Sequence, residues 1–198
     1  MTTVYFIRHA EADAAVSDQR TRPLTEKGKK DSLLVTEFLS DAQIHAILSS
    51  PYKRALDTVG DFAEADGLTI ETVEDFRGLK IESAWINDYK SFFEKYWLDF
   101  EYRYSYGESF SELKERNISE LNRVLDNYKN KNIVISIHSV SLAVIINYYD
   151  KTFGFEDFMA SVDIEPWVVR MDFDGTRCAG MEKIDLFPQQ GDCGFDED

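Results

Sequence analysis

Cysteine is scarce: Cys178 and Cys193 are the 2 cysteines in 198 residues, and both come late in the chain. They lack metal-site spacing, so they read as reduced thiols of a cytosolic protein and carry no assigned function. Positive charge is also in deficit, with 22 Lys and Arg against 37 Asp and Glu and a net charge of −15. A surface of that sign repels nucleic acid and anionic membranes, so neither is expected as a partner. No window approaches the ~18 uncharged apolar residues that a membrane span requires. The opening MTTVYFIRHAEAD shows no charged region leading into an apolar stretch and cleavage site, so no secretory signal is read there. A soluble, cytoplasmic protein is the expectation. Internal repeats, linkers and low-complexity boundaries are lacking as well.

What is present is core-forming. With 43% hydrophobic and 14% aromatic residues, the chain can bury one sizeable core but not two comfortable ones. A single domain over residues 1–188 is expected, with an acidic tail, 189–198, too poor in apolar residues to order itself. Thr3 to Arg8 is a short apolar and β-branched run that suits a buried strand, placing His9 at its end. After a loop through Pro23, Thr25 can cap a helix carrying Leu33, Leu34, Phe38 and Leu39. Ile44 to Leu48 predicts a second strand, and Tyr52 to Asp66 a helix ended by Gly67, with Arg54 in its first turn. Leu68 to Val73 offers a weaker strand. The aromatic stripe Trp85, Tyr89, Phe92, Phe93, Tyr96, Trp97 and Phe100 predicts the buried face of a helical cap over about 85–106. Ser109 and Glu112 match a capping box opening a helix to about Tyr128. Asn132 to His138 is the clearest buried strand and Ser139 to Tyr149 an apolar helix, while Trp167 to Phe173 and Arg177 to Ile184 read as a terminal hairpin.

Strands alternating with helices predict an α/β, three-layer sandwich: a central, mostly parallel sheet with helices on both faces, binding its ligand beyond the carboxyl ends of the strands. His9 and His138 both fall at such ends, and Arg54 begins the helix after another. Guanidinium groups match the oxygens of a phosphoryl group with paired, charge-assisted hydrogen bonds, a role that suits Arg8 and Arg54. One neutral imidazole can attack phosphorus and a second can bind an equatorial oxygen in the transition state. His9 and His138 are the candidates. A lone histidine at a strand end is usually structural, which is the reading given to His45. For Arg8, His9, Arg54 and His138 together, the shared sheet edge reverses that preference.

Five segments in order carry a family resemblance: VYFIRHAEA, RPLTEKG, SSPYKRALDT, GESFSEL and VISIHS. Together they resemble the histidine phosphatase, or phosphoglycerate mutase-like, superfamily across Val4 to about Tyr149. The resemblance implies a phosphoglycerate mutase-like fold with His9 as the phosphorylated nucleophile. It implies that Arg8, Arg54 and His138 hold the phosphoryl oxygens, and that neither metal nor cofactor is needed. Glu11 fits the acidic position after the signature or serves as a loop residue.

The departures bear on the reaction. Ala10 and Ser139 stand where glycines are usual, and Ala15 where many relatives carry a phosphate-binding asparagine. In EDFRGLKIESAW, relatives commonly have a glutamate that protonates the leaving oxygen, followed by the arginine with which mutases bind a carboxylate; here those positions are Gly78 and Leu79. Glu82 is the nearest acidic replacement downstream, with Glu74 and Asp75 just before. Without the usual acid, activated phosphates that leave with less help become favoured substrates. The expected function is therefore a metal-independent phosphatase acting through phosphohistidine on a phosphorylated small molecule. The alternatives are a mutase-type phosphotransferase, a protein phosphohistidine phosphatase with a phosphoprotein partner, and a phosphate-binding pseudoenzyme.

Overall fold

The computed structural model describes residues 1–81, 86 and 88–187. In chain order the elements are β1 (Thr2–Arg8), α1 (Glu26–Leu39), β2 (Ala46–Ser49), α2 (Lys53–Ala65), β3 (Ile70–Thr72), α3 (Tyr89–Leu98) and α4 (Phe110–Asn127), then β4 (Asn132–Ile137), α5 (Ser139–Tyr149), α6 (Phe155–Ser161), β5 (Trp167–Asp174) and β6 (Arg177–Ile184). Six strands form one sheet in the order β3-β2-β4-β1-β5-β6. The strands β3, β2, β4 and β1 run parallel, and the terminal hairpin β5–β6 adds antiparallel to β1. The sheet is thus mostly parallel with an antiparallel edge, the fold class expected from the alternation of strands and helices.

The central strands are apolar on both faces because both faces are covered. Val4 and Phe6 of β1, with Ile133, Ile135 and Ile137 of β4, pack into a large core shared with α3 to α6. Ile7 and Val134 point the other way, onto Val35 and Leu39 of α1 and Val59 and Phe62 of α2. This is the two-residue strand period read directly as two layers of core.

Local signals place the helix starts. Thr25 caps α1 by accepting from Gly28 N at 2.9 Å, and its own amide donates to Glu11 O at 3.0 Å. Gly28 is required there: a Cβ on it would lie 2.1 Å from Glu11 O, so the loop after β1 can lie on the first turn of α1 only if that residue has no side chain. Ser109 and Glu112 form the expected capping box at α4. Asp88 caps α3, accepting from Ser91 N at 3.0 Å.

Some boundaries differ from expectation. The strand read from Ile44 starts at Ala46, because His45 is occupied at the strand's entry, where its amide donates to Asn132 O. Its Nδ1 accepts from Asn132 N, so His45 sits at the opposite end of β2 from the candidate site. The short helix α6, opened where Gly154 N donates to Asp157 at 3.0 Å, adds an element beyond those expected from the sequence. Glu82, Trp85 and the tail 189–198 lie outside the described residues. Among the described residues no helix is long and apolar enough to cross a membrane.

Candidate active site

The carboxyl ends of β1, β2 and β4 bring the four expected residues together. Arg8 closes β1, where it pairs in register with Ile137 of β4 and Trp167 of β5, and His9 follows with its amide donating to Ile137 O. Arg54 lies in the first turn of α2 and His138 is the N-cap residue of α5. All four side chains belong to buried residues.

Their hydrogen bonds fix both histidine tautomers. His9 Nδ1 lies 2.8 Å from Ala10 O, so it carries the proton and donates it to that carbonyl. His9 Nε2 is left with its lone pair, which accepts from Arg54 Nε at 3.0 Å. Arginine can only donate, so His138 Nδ1, 3.3 Å from Arg54 Nη2, is an acceptor as well. The His138 proton is then on Nε2 and points to Ser50 Oγ at 2.7 Å. The two imidazole rings meet edge to face with centroids 5.1 Å apart.

Arg54 is held from several sides. Its Nη1 donates to Gln19 O at 2.7 Å, and its guanidinium lies over the Tyr52 ring at 5.0 Å. Thr58 donates back to Arg54 O and accepts from Ala10 N at 3.0 Å, which ties α2 to the turn after His9. Burial, with Arg22 nearby, pushes the Arg54 guanidinium down to about 10, so it remains a cation at neutral pH. Arg8 is held by the carbonyls of Ser161 and Ile164 at 2.8 and 3.1 Å and by an ion pair with Glu165. Its Nε is buried without a hydrogen-bond partner among the described residues.

Burial, reinforced by Arg54 and other positive neighbours, holds both imidazoles well below the usual histidine range. Both rings are therefore neutral at physiological pH, the form that has a lone pair to offer. The same shift has a stability consequence. An unfolded histidine takes up its proton near pH ~6.5, whereas these two do so only at distinctly lower pH. Between those limits the unfolded chain binds protons that the folded chain refuses, so stability falls as pH drops below ~6.5. We expect the slope of unfolding free energy against pH over that window to become shallower in His138→Gln, measured by urea melts; an unchanged slope would contradict the neutral buried ring.

Residues that the sequence reading passed over complete the site. A cavity of about 460 Å³ opens beside His9 and is lined by Arg8, Glu11, Tyr89, Ser139, Asp163 and Glu165. The aromatic stripe accounts for the Tyr89 ring alone. Tyr89 does stack in the core, 4.5 Å from Phe93, but its phenol also reaches the cavity, where burial pushes it up to about 12. Ser50 and Thr58 stood inside the SSPYKRALDT segment without an assigned part. Glu165 had no signal, because its place depends on the register of β5 on β1. Glu11 is committed to the loop, accepting from Thr25 Oγ1 at 2.7 Å. Ala15 is exposed.

The segment that lacks the usual acid packs close to the second histidine. A Cβ on Gly78 would lie 3.3 Å from His138 Cγ, so any side chain at that position would start out against the imidazole. Arg116 holds the segment through Asp75 O at 2.5 Å and Gly78 O at 3.2 Å. Buried Glu108 accepts from Arg116 and Arg77. Burial alone would raise the Glu108 carboxyl, but these arginines outweigh it and keep it below its ordinary value. Leu79, at the position where mutases carry an arginine, packs against the core.

Known proteins share this arrangement of elements. A family model described as the histidine phosphatase superfamily (branch 1) matches residues 4–158. Phosphoserine phosphatase 1 of Hydrogenobacter thermophilus is 26% identical over 156 residues, covering 72% of this chain and 73% of that protein. Among solved structures, YhfR of Bacillus stearothermophilus superposes with a TM-score of 0.73 at 21% identity, covering 90% of this chain and 94% of that one. A phosphoserine phosphatase from Entamoeba histolytica, solved with 3-phosphoglyceric acid, gives 0.75 at 16% identity over 94% of this chain and 99% of that one.

Proposed function

The chain belongs to the histidine phosphatase superfamily, and from that premise we propose that it is a metal-independent phosphatase that hydrolyses a phosphorylated small molecule through a phosphohistidine on His9. The observation that carries the reading is the state of His9: neutral, its Nδ1 proton committed to Ala10 O and its Nε2 lone pair held by an arginine. A phosphoryl group entering the site takes over the hydrogen bond that Arg54 gives to His9 Nε2 and the one that Arg8 gives to Glu165. The Nε2–H of His138 passes from Ser50 to a phosphoryl oxygen. These donors neutralise charge on the equatorial oxygens, and the freed Nε2 attacks phosphorus in line with the leaving oxygen. Water then attacks the phosphohistidine and returns His9 to its neutral form.

Hydrolysis is favoured over mutase transfer because Leu79 is turned into the core and leaves no arginine there for a substrate carboxylate. A small substrate is favoured over a phosphoprotein by the cavity size and by Tyr89, which the cap helix α3 adds to its wall. The relatives named for phosphoserine, and the one solved with 3-phosphoglyceric acid, make small carboxylated phosphomonoesters the first compounds to screen.

The test is a rapid-quench assay with 4-nitrophenyl phosphate. A burst of nitrophenolate stoichiometric with enzyme, together with acid-labile, base-stable label on the protein, is the expected result. A folded protein that binds inorganic phosphate yet shows neither turnover nor label would establish a binding protein instead. Conversion of 3-phosphoglycerate to 2-phosphoglycerate faster than its hydrolysis would establish a mutase.

A further inference from the structure

We propose that Glu165 is the proton donor to the leaving oxygen, taking the part for which Gly78 has no side chain; this inference rests on the phosphatase reading above. In-line displacement places the leaving oxygen opposite His9 Nε2. With the equatorial oxygens held by Arg8, Arg54 and His138, that oxygen faces the cavity beside His9, whose wall carries the carboxylates of Glu11, Asp163 and Glu165. Glu11 is turned toward the loop, bonded to Thr25 Oγ1 and within 4.0 Å of Lys27 Nζ. Glu165 is the carboxylate paired with Arg8, so it stands one guanidinium away from any phosphoryl oxygen that Arg8 binds. Sheet register holds it there: Trp167 pairs with Arg8 across β5 and β1, and Glu165 lies two residues before it.

The exchange of partners supplies the proton. A phosphomonoester titrates near pH ~6 and reaches the site in part as the monoanion. As Arg8 transfers its hydrogen bond from Glu165 to the phosphoryl group, the released carboxylate accepts the phosphate proton. When the Nε2–P bond forms and the O–P bond breaks, that proton moves from Glu165 to the departing oxygen, and the alcohol leaves neutral. In the second step Glu165 takes a proton from the attacking water as the O–P bond to water forms and the N–P bond breaks, then returns it to the departing inorganic phosphate as its ion pair with Arg8 re-forms. His9 ends with its proton on Nδ1, as it began.

The test compares wild type with Glu165→Gln on aryl phosphates of graded leaving ability, from 4-nitrophenyl through phenyl to 4-methoxyphenyl phosphate. Glutamine keeps an oxygen for Arg8 and cannot donate an acidic proton. Loss of the acid should lower kcat on the methoxyphenyl ester by ~10²-fold and far less on the nitrophenyl ester, steepening the dependence of rate on leaving-group pKa. Glu165→Gln should also bind inorganic phosphate more tightly, since a competing anion has been removed from Arg8. Asp163→Asn should leave the slope as in wild type. Equal slowing of all esters, an unchanged slope, or a steeper slope in Asp163→Asn would overturn the assignment. Should the glutamine variant fail to fold, Glu165→Asp substitutes for it: a slope between those of wild type and full acid loss is expected, and a wild-type slope overturns. The phosphatase reading fails separately, by absence of phosphohistidine in the wild type, and takes this one with it.

Discussion

His9→Ala should abolish turnover of 4-nitrophenyl phosphate, by a factor on the order of 10⁴ or more, and remove all acid-labile label from the protein. Nothing else among the described residues can replace it. His138 is the other imidazole in the site; unlike His9 it does not line the cavity, and its Nε2 bears the proton. Binding should survive. Arg8 and Arg54 are held by Ser161 O, Ile164 O and Gln19 O, none of which depends on the His9 ring. The measurement pairs single-turnover kinetics with phosphate titration of the same variant. Retained phosphate binding with lost chemistry assigns the nucleophile. Retained turnover with label now on His138 would transfer the role.

Much of the fold could be read from the chain because its rules are local or periodic. A strand apolar on both faces, such as Asn132 to Ile137, has to be buried between layers, and caps such as Thr25 and Ser109 mark helix starts with single residues. The meeting of Arg8, His9, Arg54 and His138 could be read for a topological reason: parallel strands deliver all their carboxyl ends to one edge. Glu165 and Tyr89 could not be. Glu165 reaches the site through antiparallel pairing of β5 with β1, and sequence does not state how far those strands slide past each other. Tyr89 sits at the first turn of α3 with its ring in the aromatic core and its hydroxyl in the cavity, and a helical stripe records only the first of these. The hydrophobic pattern identified the residue and missed its polar tip.

The acidic surface and the site are not in conflict. A net charge of −15 disfavours long-range attraction of a phosphate ester, yet the local charges around His9 are dominated by buried Arg8 and Arg54. Screening at physiological salt confines surface charge to ~8 Å, while buried pairs are little screened. The phosphoryl group therefore meets the arginines first at contact range. On the proposed reading, the ion pair of Arg8 with Glu165 opens there as the phosphoryl group binds. Discrimination should thus be expressed at the bound complex rather than in the encounter rate.

The largest effect on stability should come from Phe110→Ala. Phe110 is fully buried at the first position of α4, and its ring meets Tyr96, Phe100, Trp97 and Phe93 at centroid distances of 4.9, 5.4, 5.7 and 6.3 Å. It is one of the contacts that seat α3 and the loop after it, beside those of Trp97 with Phe153 and Phe158. Removing a ring from such a cluster costs about 3–5 kcal/mol, because the rigid neighbours cannot close the void. Ser109 and Glu112 still cap the helix, so the loss is packing and not helix initiation. For a chain of this length the midpoint of thermal unfolding should fall on the order of 10 °C. The catalytic consequence follows from Phe93, which touches both Phe110 and Tyr89 and so carries the disturbance to the cavity wall. KM should therefore rise more than kcat falls, since Tyr89 lines the cavity while His9 and Arg54 are held from elsewhere. Urea melts and steady-state kinetics on one preparation separate the two effects. A destabilisation below about 1 kcal/mol would mean that the aromatic cluster repacks around the void, and that the seating of α3 does not depend on this ring.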